Sequence, residues 1–178
     1  MSDCFWKTLL PEKTGYAPWL RDHGSLTRRI RQRCTKFNVL NVCDCLLAAA
    51  HDETALLGLP PQQLIYTREV FLLADNQPVV FAHSVVAPHH LRGAWQALQH
   101  LGNRPLAALL FAHPLVQRAP LHYRSLKPHH PLYRRASVAL GTPPSKLWAR
   151  RSLFTLHGAP LLVTEVFLPE ILRLTNPA

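Results

Sequence analysis

The chain of 178 residues is short of acid, of cysteine and of long apolar runs. Ten Asp and Glu stand against twenty Lys and Arg, for a formal net charge of +10. That excess fits nucleic acid, an anionic membrane surface or a small anionic substrate, and charge alone does not choose among them. Four cysteines (Cys4, Cys34, Cys43, Cys45) form no even framework of the kind used by small secreted chains. The opening MSDCFWKTLLPEKTGY has no signal-peptide layout. Free thiols in a reducing cytoplasm are therefore expected. No run of 18 or more uncharged apolar residues exists, so no transmembrane helix is expected. Metal-ligand spacings are also missing. Cys43 and Cys45 have no second pair at ligand distance, and His89-His90 and His129-His130 lack both an HExxH spacing and a nearby carboxylate set, so no metal site is expected.

What is present is a folding chain. Nearly half the residues are apolar (48%), enough for one domain over residues 1–178 with a real core. Its most regular stretch is near the end, Leu147 to Pro169. Trp148 to Leu156 reads as a strand, His157-Gly158-Ala159-Pro160 as a turn and Leu161 to Leu168 as the returning strand. A second hairpin runs Leu64 to Ala74, turns at Asp75-Asn76-Gln77-Pro78 and returns over Val79 to Val86. Phe37 to Cys45 alternates like a strand, with Cys43 and Cys45 on one face. Ser25 is a good N-cap for a helix starting at Leu26. The amphipathic stretch Leu91 to Leu101 predicts a helix stopped by Gly102. Pro105 suits the first position of the next helix, LAALLFA, whose leading N–H groups are free to meet an anion. Residues 5–20 read as a short helix and loop, 46–63 as a short helix or loop, and 113–146, rich in Pro, His and Arg, as a long loop with at most a short helix.

One residue breaks the strand pattern. Glu165 lies inside LLVTEVFL, where an unpaired carboxylate would be costly, so it needs a partner or a proton. Arg68 is the other charge in an apolar strand. It faces away from its neighbour Glu69, and it is the natural cation for Glu165. The bland reading of the two is a buried ion pair. The arginines at 28, 29, 31 and 33 read as a solvated helix face, and Tyr123 and Tyr133 among arginines make no continuous nucleic-acid surface.

Four blocks, WLRDHGSLT, TREVFLLADNQPVVFAHSVV, LGNRPLAALLF and LWARRSLFTLHGAPLLVTEVFLP, occur in this order from Trp19 to Pro169. Together they resemble the chorismate pyruvate-lyase family. The resemblance implies an α+β single domain, an antiparallel sheet with helices and helical flaps over a buried site. It implies an enzyme that converts chorismate to 4-hydroxybenzoate and pyruvate for ubiquinone synthesis without a cofactor. No seam of apolar heptads demands a dimer, so a monomer is expected, with no nucleic-acid partner and no membrane insertion. The resemblance carries over four positions: Arg68 on the ring carboxylate, backbone contacts at Leu26 and Leu106, and Glu165 on the ring hydroxyl, which it orients or relieves of a proton. Leu26 often is Met in the family, a change that a backbone contact tolerates. His83 stands where some members have an arginine, which bears on how the second carboxylate is held. The effector domains of some transcription regulators share this fold. Their winged helix-turn-helix has no counterpart in the roughly twenty residues before WLRDHGSLT.

Overall fold

The computed structural model describes residues 5–10 and 13–175. Its centre is an antiparallel seven-stranded sheet. In chain order the strands are β1 (Phe37–Ala48), β2 (Leu64–Ala74), β3 (Gln77–Val86), β4 (Gln117–Arg118), β5 (His122–Leu126), β6 (Leu147–Leu156) and β7 (Ala159–Phe167). They lie in the order β1-β2-β3-β7-β6-β4, with β5 also paired to β6. The helices are α1 (Ala17–Leu20), α2 (Leu26–Arg31), α3 (His51–Leu57), α4 (Ala107–Ala112) and α5 (Pro131–Ser137). The architecture is the expected α+β one.

Two turns set the register of the sheet. Asp75 and Asn76 have φ of 48° and 66°, and His157 and Gly158 have φ of 50° and 78°. Positive φ at both central residues is the two-residue hairpin turn whose twist matches that of its strands. Ala74 therefore faces Gln77, and Leu156 faces Ala159. Both turns are two residues tighter than the four-residue stretches read from composition.

Alternation along the central strands then builds two different faces. On one face lie Tyr66, Arg68, Val70 and Leu72 of β2, together with Val163, Glu165 and Phe167 of β7, beneath α2 and α4. On the other face Phe71, Phe81, Leu147 and Val166 pack against Leu132, Tyr133 and Ala136 of α5. Apolar burial on both faces explains why β2, β3 and β7 read as near-continuous apolar runs.

Several expectations change. The helix expected over Leu91 to Leu101 is two 3₁₀ turns, Pro88–Arg92 and Gln96–His100. Gly93, at φ −141° and ψ −115°, breaks the path between them. Leu91, Trp95 and Leu98 are buried nonetheless, so the apolar spacing held while the backbone did not. Residues 113–146 are far more regular than a loop, since they supply β4, β5 and α5. Two short strands rich in His and Arg carry little apolar alternation to betray them. Cys43 and Cys45, expected as free thiols, are joined as a disulfide. A bulge between Asn41 and Cys43 and the two-residue period leave both side chains on one face, with Cα atoms 5.8 Å apart, within bridging range. Cys34 is free, and Cys4 lies outside the described residues. No helix of the described residues is long and apolar enough to cross a membrane.

Candidate active site

A cavity lies between the β2–β3–β7–β6 face and the segments that lead into α2 and α4. Arg68, Leu26, Leu106 and Glu165 all line it, so the four positions singled out from the sequence meet at one place.

The two helix starts are built for backbone contacts. Ser25 caps α2 as expected, its Oγ accepting from the N–H of Arg28 at 3.3 Å. Leu26 is the first residue of that helix, so its N–H has no acceptor within the helix. Leu106 is the N-cap of α4, with Pro105 one position ahead of it. The first helical residue is thus Ala107, two later than the proline rule suggested, because the carbonyls of Pro105 and Leu106 receive the first turn's N–H groups.

Arg68 is 2% exposed. Its Nη2 donates to the carbonyls of Gly102 at 2.8 Å and Arg104 at 2.9 Å. Gly102 adopts φ 52°, which favours glycine, and the two hydrogen bonds hold the turn that carries Leu106. Nε of Arg68 is buried without a hydrogen bond among the described residues, and the nearest carboxylate oxygen, on Asp44, is 3.7 Å away. Burial pulls the guanidinium below its ordinary pKa, against the supporting charge of Asp44. A buried cation with unspent donors is a seat for an anion.

Glu165 does not pair with Arg68. Its Oε2 accepts from Nε of Arg150 at 2.5 Å. The tight turn at His157-Gly158 sets these two residues directly opposite each other on β6 and β7. Arg150 is fully buried and its Nη1 also donates to the carbonyls of Trp19 at 3.0 Å and Leu20 at 3.4 Å, and to that of Asp22. One side chain therefore holds both the carboxylate and the segment that runs into Ser25 and Leu26. Arg118 of β4 does similar work at the next residue, with Nη1 donating to the His23 carbonyl at 2.8 Å and Nε to Ser152 Oγ at 3.3 Å. Sequence reasoning missed both arginines. Arg150 was within reach, since counting from a two-residue turn at His157-Gly158 pairs it with Glu165.

His83 belongs to the opposite face of the sheet, away from the cavity. Its Nδ1 lies 2.8 Å from Glu69 Oε1 and its Nε2 lies 2.9 Å from Glu53 Oε1. Arg135 of α5 donates to the same Glu69 oxygen at 2.6 Å. Residue 83 is thus part of an ionic layer beneath α3 and α5 and does not touch a ligand in the cavity. Burial opposes charge on His83, but hydrogen bonds and attraction from Glu53 and Glu69 outweigh it and raise the pKa. Stability from this cation is complete below the unfolded value of about 6.5 and is lost as pH rises through the higher folded value. The thermal midpoint should fall as pH rises above about 6.5. The His83→Gln variant should lose that slope, and an equal slope in both proteins would show that the layer does not titrate in this way.

Residues 13–175 match the family described as chorismate lyase. The chain is 52% identical over 156 residues to a Nitrosomonas europaea protein named "Probable chorismate pyruvate-lyase", covering 88% of each. It is 54% identical over 160 residues to a protein of the same name from Aromatoleum aromaticum, covering 88% of this chain and 86% of that one. Among solved structures, the effector domain of PhnF from Mycobacterium smegmatis superposes with a TM-score of 0.60 at 13% identity, over 83% of this chain and 90% of that one. A GntR-family transcriptional regulator from Bacillus cereus gives 0.55 at 10% identity, over 76% and 94%. These two likenesses concern the fold. The family match, with the two relatives at about half identity, shows that the chain belongs to the chorismate lyase family.

Proposed function

We propose that the protein is a chorismate pyruvate-lyase that releases 4-hydroxybenzoate and pyruvate. The observation that carries the reading is the meeting of Arg68, the Leu26 and Leu106 backbone and Glu165 in one cavity. Chorismate is a dianion with a ring carboxylate, an enolpyruvyl ether bearing its own carboxylate, and a ring hydroxyl. Breaking the ether with loss of a ring proton gives pyruvate and an aromatic ring. Electrons balance without an oxidant, and aromatisation supplies the driving force. The protein then has to orient the substrate, hold its charges and exclude water.

In this reading Arg68 and the N–H groups of Leu26 and Leu106 take the ring carboxylate. Glu165, held by Arg150, meets the hydroxyl and orients it or passes a proton. The surplus of positive charge speeds capture of a dianion. The product would feed ubiquinone synthesis, and the enzyme would act in the cytoplasm as a monomer, without cofactor.

The test is to mix the purified protein with chorismate and follow 4-hydroxybenzoate and pyruvate together. Equal formation of both above the uncatalysed rate is expected. If neither forms while 4-hydroxybenzoate binds, the lyase reading is overturned in favour of a ligand sensor of the same fold.

A further inference from the structure

The substrate proposed above carries two carboxylates and its aromatic product carries one. Arg68 accounts for one of them. The cavity has a second cationic wall residue, Arg118, which the ring-carboxylate clamp leaves unused. Its guanidinium is held on several sides. Nε is spent on Ser152 and Nη1 on the His23 carbonyl. The guanidinium carbon sits 5.2 Å from the Phe154 ring centroid and 5.8 Å from that of Phe111. No carboxylate forms an ion pair with it among the described residues, whereas Arg150 has Glu165. Arg118 is thus fixed in position with Nη2 left over, a pre-arranged single-ended anion contact.

Its place along the substrate follows from connectivity. In chorismate the ether-bearing carbon adjoins the hydroxyl-bearing carbon and is one carbon removed from the carboxylate-bearing one. The leaving group's carboxylate therefore lies towards the hydroxyl end. That is the Glu165 end, where Arg118 donates to Ser152, two residues along β6 from the Arg150 that faces Glu165. His83 is excluded from this task because it faces the other side of the sheet.

We infer that Arg118 receives the enolpyruvyl carboxylate and so distinguishes the dianionic substrate from the monoanionic product. The inference rests on the lyase reading for the identity of the dianion, but its test does not need turnover. Two probes serve: 4-hydroxybenzoate, and 3-(carboxymethoxy)-4-hydroxybenzoate, which adds an ether-linked carboxylate beside the hydroxyl. Affinities for both, by calorimetry, are compared in the wild type and in Arg118→Gln, beside the KM for chorismate. The variant should weaken the dicarboxylate and raise that KM by roughly 10- to 100-fold, as loss of a charged hydrogen bond implies, while 4-hydroxybenzoate changes by less than about 3-fold. Arg118→Lys should recover part of the loss. Equal weakening of both probes would mean that Arg118 only ties down the Trp19–His23 segment, and would overturn the inference. So would unchanged affinity for the dicarboxylate. A wild type that shows the Arg118-dependent preference but forms no product would refute the lyase reading and leave this one standing.

Discussion

Arg68→Ala should cost roughly 10² to 10³-fold in kcat/KM for chorismate and weaken 4-hydroxybenzoate to a similar degree. Truncating one partner of a desolvated charge pair costs about 2–5 kcal/mol, and each 1.4 kcal/mol is tenfold. Two losses combine here. The first is the direct contact with the ring carboxylate. The second is indirect, because Nη2 no longer holds the Gly102 and Arg104 carbonyls and the turn presenting Leu106 is released. Lysine cannot replace this arrangement, since a single ammonium cannot serve two carbonyls and a carboxylate with the same geometry. Arg68→Lys should therefore resemble Arg68→Ala more than the wild type. Thermal unfolding of both variants separates a lost ligand contact from a lost fold. Near-normal binding of 4-hydroxybenzoate by folded Arg68→Ala would place the carboxylate elsewhere.

Glu165→Gln should lower kcat by about 10²-fold, the lower end of what a positioned acid or base contributes, with changes of less than about 5-fold in KM and in product affinity. Glutamine keeps the shape and still offers an oxygen to Nε of Arg150, so the carbonyls of Trp19 and Leu20 should keep their donor. What disappears is the negative charge at the hydroxyl end. A fall in kcat alone would assign that charge to the transition state. If instead stability drops while kcat holds, Glu165 is a counter-ion for Arg150 and the chemistry proceeds without it. That would be the buried ion pair weighed from sequence, with Arg150 in the place given to Arg68.

Much of this is legible in the sequence. Strands β2, β3, β6 and β7 announce themselves because burial on both faces demands apolar, β-branched residues, and Glu165 stood out against that background. Glu165 was paired with the wrong cation because Ala159 and Pro160 look like turn residues, while in fact they begin β7. Two residues of turn length decide whether Glu165 faces Ser152 or Arg150. Arg118 was illegible for a different reason. It lies in a two-residue strand within a Pro-rich segment, and only tertiary pairing with Phe154 of β6 brings it to the cavity. Leu91 to Leu101 shows the converse, since an apolar period reports which residues are buried even where Gly93 denies them a helix.

The His157-Gly158 turn also limits how this sequence can drift. Surface hairpins usually accept insertions, because their ends hang in solvent and nothing downstream depends on their length. Here β7 is locked on both sides: Glu165 faces Ala82 of β3 as well as Arg150 of β6. One residue added at the turn and taken up by sliding would set Arg151, which points to the other face, opposite Glu165, and a slip of one inverts every side chain of the strand. A change of length at this surface tip would therefore be as damaging as the loss of the carboxylate itself.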